Sequence, residues 1–125
     1  MTNAYPNEAH AFGQIAESIA AAYLSKKGFC IVAKNFRYKR FEIDLIVQKG
    51  ELLVFVEVKA RTNNRFGNPE TFVTKKQIRA IRRAAEHYLR TCNHTKAIRF
   101  DIVSVLGNGN DPKSVEIMHL EDGFY

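Results

Sequence analysis

Cysteine is scarce. The two present, Cys30 and Cys92, lie far apart and have neither a Cys-x-x-Cys nor any other metal-ligand spacing, so reduced thiols are expected. His10, His87, His94 and His119 show no ligand spacing either, and no Gly-x-Ser-x-Gly or phosphate-loop pattern occurs. These absences argue against zinc chemistry and against nucleophilic serine or cysteine catalysis. No apolar run approaches the ~20 residues of a membrane span, and no charged-then-apolar leader precedes a small-residue cleavage site. The expectation is a cytoplasmic protein with no membrane partner. Repeats and low-complexity segments are also missing, and 125 residues suffice for one domain with one core.

Positive charge is plentiful. Nineteen Lys and Arg against thirteen acidic residues give a net +6. Such a balance favours polyanionic partners, because phosphate contacts supply most non-specific nucleic-acid affinity. Taken alone it is weak evidence, since many basic proteins bind no nucleic acid.

The most informative stretch is Phe41 to Arg61, two β-branched and aromatic runs separated by a short glycine-containing turn. With Lys49 and Gly50 as the turn residues, a hairpin forms whose register assigns every side chain a face. Phe41, Ile43, Leu45 and Val47 then share an apolar face with Leu52, Val54, Val56 and Val58. The opposite face carries Ile46, Leu53 and Phe55 near the turn and Glu42, Asp44, Glu57, Lys59 and Arg61 at the far end. In this register Asp44 and Glu57 are diagonal neighbours, roughly 7–8 Å apart at Cα and within reach of a shared cation. An exposed Glu57–Lys59 ion pair would give the same pattern. Against that, Glu57 is the one polar residue in the run Leu52 to Val58, and a lone carboxylate in a covered strand is costly unless paired or metal-bound.

The rest of the chain frames this hairpin. Residues 1–7 read as a loose arm. A helix follows from Glu8 to Lys27, with Phe12, Ile15, Ile19, Ala22 and Tyr23 at helical spacing and Glu17 beside small neighbours. Phe29 to Ala33 is a short strand. Lys34 to Arg40 interleaves Lys34, Arg37, Lys39 and Arg40 with Phe36 and Tyr38, which suits either a nucleic-acid groove or a strand with one wet face. Turn residues fill Thr62 to Val73. Thr74-Lys75-Lys76-Gln77 matches a capping box and starts a second helix running to about Thr91. Ile78, Ile81, Ala85, Tyr88 and Leu89 form its buried face, and Lys75, Lys76, Arg79, Arg82, Arg83 and Arg90 crowd the remainder. Strands at Ala97 to Leu106 and Val115 to Leu120, joined by a turn at Gly107 to Pro112, precede a tail at 121–125. The order helix, three strands, helix, two strands is that of an α/β or α+β sandwich built on one mixed sheet.

Asp44, a gap of twelve residues, then Glu57-Val58-Lys59 resembles the PD-(D/E)XK signature of restriction-endonuclease-like nucleases. The match is closer to the uncharacterised YraN-type branch, which is similar to archaeal Holliday-junction resolvases. It rests on Gly13-x-x-x-Glu17, Asn35-Phe36-Arg37, Glu42-Ile43-Asp44-Leu45-Ile46, Val54 to Arg61, Gly67-x-Pro69-Glu70 and Arg99-Phe100-Asp101. One departure stands out: Phe41 replaces the glycine usual before Glu-Ile-Asp.

The resemblance implies a three-layer sandwich, a central mixed five-stranded sheet flanked by helices. It implies Asp44, Glu57 and the Val58 carbonyl as ligands of Mg²⁺, with Mn²⁺ as an alternative. Lys59 would orient the attacking water or offset developing charge, and Glu17 would bind a second ion or anchor the ligands. The activity implied is metal-dependent DNA hydrolysis, on branched or single-stranded substrates, by a homodimer. Arg37, Lys39, Arg40, Arg61, Lys75, Lys76, Arg79, Arg82 and Arg83 are the candidate contacts to nucleic acid. The alternatives are a non-catalytic nucleic-acid-binding module on the same fold and a protein-interaction protein.

Overall fold

A computed structural model describes residues 4–61, 73–108 and 111–124. The chain runs α1 (Ala4–Lys26), β1 (Cys30–Tyr38), β2 (Phe41–Lys49), β3 (Leu52–Arg61), α2 (Lys75–Cys92), β4 (Ile98–Asn108) and β5 (Asp111–Leu120). The strands lie in the order β1-β2-β3-β4-β5 in one sheet. Every neighbouring pair is antiparallel except β3 and β4, which are parallel and connected through α2. The two helices cover opposite faces. Alternate residues Leu45, Val47, Val54 and Val56 pack under α1, whereas Ile46, Leu53 and Phe55 pack under α2. The result is the expected three-layer sandwich with a mixed five-stranded sheet, consistent with a restriction-endonuclease-like fold. Among the described residues no helix is long and apolar enough to cross a membrane.

Local chemistry explains most boundaries. Thr74 caps α2 by accepting from the Gln77 N–H at 3.1 Å, while the Gln77 side chain accepts from the Thr74 N–H at 2.9 Å. Both halves of the capping box are therefore made. Helix α1 starts at Ala4, so residues 4–7, read from sequence as part of a loose arm, are helical. Pro6 falls within the first turn, where its missing N–H has no intrahelical acceptor to lose. The expected turn-rich stretch from Thr62 lies outside the described residues up to residue 72. Strand β5 begins at Asp111 and so includes Pro112; as an edge strand it tolerates the missing donor. Residues 121–124, read as a tail, turn back instead. The Gly123 N–H donates to the Phe100 carbonyl at 2.9 Å and Phe124 is buried beside α2.

Three details of the sequence reading are corrected. The buried face of α1 is the small one: Ala16, Ala20, Ala21 and Leu24 are enclosed, whereas Ile15 is 45% exposed and Ala22 faces solvent. Alanines let the helix axis come close to the sheet, so shape outweighs side-chain size here. Next, Lys49 pairs with Leu52, which makes Gly50 and Glu51 the turn residues. Gly50 takes φ 59°, a conformation glycine adopts without steric cost. The register slides by two positions, which preserves the alternation of β3. Finally, Phe41 and Ile43 do not share a face with Leu45 and Val47 but pack under α2. Both strands of the first hairpin change face together in the interval from Ala33 to Phe36 and from Ile43 to Ile46, since all four of these apolar residues lie on the α2 side.

Candidate metal centre

The ladder between β2 and β3 ends at the pair Leu45 and Val56. One step further the strands fork. The Val58 N–H donates to Asp44 Oδ2 at 2.8 Å, so a side chain takes the hydrogen bond that main chain supplies elsewhere. Counting on from the last pair sets Asp44 opposite Glu57, a closer relation than the diagonal one expected.

The change of face in the first hairpin centres on Asn35. Its φ is 50°, in the left-handed region that asparagine enters more readily than most residues. Lys34 pairs with Leu45 and Phe36 with Ile43, which leaves Asn35 opposite Asp44. With Ile43 turned toward α2, Glu42 and Asp44 meet Glu17 from α1. One carboxylate oxygen from each of Glu17, Glu42 and Asp44 lies within 4.8 Å of the others, a spacing that can hold a metal ion. Asn35 Nδ2 donates to Glu17 Oε1 at 3.1 Å and to Glu42 Oε2 at 3.0 Å. Arg37 holds the other oxygen of Glu42 at 3.0 Å.

Glu57 joins this group through Asp44, which it stands opposite across the strands and whose carboxyl it helps to raise. Lys59 Nζ lies 3.3 Å from Glu57 Oε2, both side chains being largely buried at 11% and 14% exposure. Burial pushes the Asp44 carboxyl up to about 8, and the charges of Glu57 and Glu17 push the same way against the Val58 N–H. The Glu57 carboxyl is also raised, mainly by burial, although Lys59 opposes this. Negative charge thus exceeds what the surrounding donors balance. An all-carboxylate donor set of this kind suits a hard divalent cation, whose charge would offset both the burial and the neighbouring carboxylates that raise Asp44.

A family model described as uncharacterised protein family UPF0102 matches residues 16–105. That span contains Glu17, Glu42, Asp44, Glu57 and Lys59. The chain belongs to the UPF0102 family. It is 40% identical to a UPF0102 protein of Phocaeicola vulgatus over 94% of this chain and 95% of the relative. A UPF0102 protein of Christiangramia forsetii is 36% identical over 94% and 97%, and one from Shewanella frigidimarina is 45% identical over 74% and 86%.

Within this UPF0102 fold the basic residues are placed unevenly. Arg37 contacts the acidic group directly, through Glu42. Lys39 and Arg40 form the β1–β2 turn, their cationic groups 5.4 Å from the Tyr38 ring and 5.3 Å from the Phe41 ring. Arg61 ends β3 and donates to the Ala60 carbonyl at 3.0 Å. Lys75, Lys76, Arg79, Arg82 and Arg83 are exposed on α2, which covers the sheet face opposite α1. No ion pair joins these helix cations to the carboxylates among the described residues. Phe41, where the resemblance leads one to expect glycine, is not among the residues with positive φ; its backbone does not require one.

Two members of the site, Glu42 and Asn35, stood in the sequence patterns but were not among the candidate site residues. Glu42 stands two positions from Asp44, a spacing that signals a shared strand face. Asn35 carried one legible signal, its residue type, which favours left-handed backbone. Without the hairpin register nothing tied that preference to Glu17 or Glu42.

Proposed function

We propose that this UPF0102 protein is a Mg²⁺-dependent DNA endonuclease that hydrolyses phosphodiesters. The observation that carries this reading is the convergence of Glu17, Glu42 and Asp44 within 4.8 Å, with the Glu57–Lys59 pair joined to them through Asp44. Asp44 and Glu57 would hold the cation, with Glu17 supplying a further oxygen from α1. When bound, Mg²⁺ supplies Lewis-acid polarisation of the scissile phosphate and acidifies a water.

The chain's own groups do the rest. Lys59 is kept in place by Glu57 and carries a positive charge toward the reacting phosphate, where negative charge grows in the transition state. Arg37 lies beside the acidic group through Glu42, and Lys39 and Arg40 form the β1–β2 turn; all three are suited to backbone phosphates. The cations of α2 add attraction that depends on salt rather than sequence. One such site per chain cuts one strand, so scission of both strands would call for two copies.

The test is incubation of the purified chain with a panel of four-way junction, flap, single strand and duplex in Mg²⁺ or Mn²⁺. Metal-dependent products are expected with wild type and none with Asp44→Ala or Glu57→Ala, both folded by circular dichroism. Cleavage that survives both substitutions overturns the assignment. DNA that is shifted on a native gel yet never cut favours the alternative of a binding module, for which the exposed cations of α2 and of the β1–β2 hairpin supply the charge.

A further inference from the structure

The proposed activity places the cation between groups that arrive from different layers, and something must hold them there when no cation is bound. We propose that Asn35 is the positioning residue of this site, its amide tying Glu17 of α1 to Glu42 of β2. This rests on the metal-site reading above and adds the device that assembles it.

Two features of one residue combine. The amide nitrogen of Asn35 has two hydrogens, and they go to two carboxylates, at 3.1 Å to Glu17 and 3.0 Å to Glu42. A neutral amide thereby bridges two like charges that would otherwise separate. The backbone of the same residue, at φ 50°, sits opposite Asp44 at the point where the hairpin changes face. The conformation that turns Glu42 and Asp44 toward α1 also aims the amide into the gap between Glu17 and Glu42. With Arg37 on its other oxygen at 3.0 Å, Glu42 is held at both ends. It therefore acts as a brace for Asn35, while Glu17 is set at the edge of the cation position.

The backbone and the amide can be separated experimentally. Asn35→Gly keeps a residue at ease with φ near 50° but removes the amide, whereas Asn35→Ala removes the amide and strains the backbone. Mn²⁺ is titrated calorimetrically into the full chain without DNA, beside a thermal melt. Asn35→Gly is expected to weaken Mn²⁺ binding by about tenfold, the lower end of what loss of a ligand-orienting partner costs, with Tm within about 4 °C of wild type. In a Glu42→Ala background, which removes the acceptor, the same change is expected to cost about twofold, because the two residues act as one unit. Where cleavage is measured, the defect appears as a higher metal requirement, with the rate restored at saturating Mn²⁺.

Mn²⁺ affinity in Asn35→Gly equal to or tighter than wild type overturns the inference and leaves the proposed function standing, as does full additivity with Glu42→Ala. A wild-type chain that takes up no Mn²⁺ overturns both.

Discussion

Two aspartates in this sheet meet opposite fates. Asp101 and Asp44 are separated by one strand, since Asp101 pairs with Val56 and Val56 with Leu45. Asp101 is fully buried, yet every lone pair is answered. Arg99 donates Nε at 2.8 Å and Nη2 at 2.9 Å, His119 Nε2 lies at 2.7 Å and the Asp122 N–H at 2.9 Å. Burial pushes its carboxyl upward, but the hydrogen bonds from His119, Arg99 and Asp122 outweigh it and hold the group below its ordinary value. Asp44 accepts from Val58 and otherwise faces Glu57 and Glu17. One centre has as many donors as it needs and fastens the carboxy-terminal turn to β4. The other has one main-chain donor and carboxylate neighbours, a spacing that can hold a metal ion. Burial of a carboxylate alone says nothing about function; the balance of its partners does.

The largest expected effect tests the satisfied centre. Asp101→Ala leaves Arg99 and His119 without their shared acceptor, and breaking a buried pair of this kind costs about 3–5 kcal/mol. Urea titration measures it, and a loss below about 1 kcal/mol, the scale of an exposed pair, would erase the contrast. Next, Mg²⁺ or Mn²⁺ at about 100 times its Kd should stabilise wild type by about 2.7 kcal/mol. A melt should show no such gain for Asp44→Asn, because the missing charge is on the deficient centre.

The smallest effect concerns pH. A carboxyl raised from 3.8 to about 8 favours the fold most when protonated, so its contribution is full below pH 3.8 and is lost as pH rises toward 8. Asp44→Asn, which keeps an oxygen for the Val58 N–H and an amide for Glu57, should escape that loss. The metal-free variant is expected to melt about 4 °C above wild type at pH 9, about 1 kcal/mol, with the difference vanishing near pH 4. Asp101 runs the other way: its lowered value gives stability above pH 3.8 that disappears on acidification through the folded value. Melts of Asp44→Asn that track wild type across this range would show that the two centres are not electrostatically different.

Much of this was legible in the chain. The capping box at Thr74 set the start of α2, and the alternation from Leu52 to Val58 put Glu57 and Lys59 together at the end of β3. The register was harder, because a glycine can occupy either central position of a two-residue turn, and Gly50 came first rather than second. The buried side of α1 was misread in part for a different reason: Ile19 and Tyr23 do pack against the core, but Ile15 and Ala22 face outward while Ala16, Ala20 and Ala21 permit a closer approach to the sheet. The change of face at Asn35 left no mark in hydrophobic periodicity. It depends on one backbone angle, and it is what brings Glu42 and Asp44 to Glu17.

The parallel pairing of β3 with β4 has a kinetic side. Strands β1, β2 and β3 are joined by two-residue turns and close at small entropic cost, whereas β4 docks only after the chain between Arg61 and Ile98 has carried α2 across the sheet. Long-range pairing of that kind is slow. Glu17, Asn35, Glu42, Asp44 and Glu57 all belong to α1 and the first three strands, so the segment that holds the acidic group is the one favoured to collapse early. Asp101 belongs to the late step, and its four donors seal a fold whose acidic half is already in place.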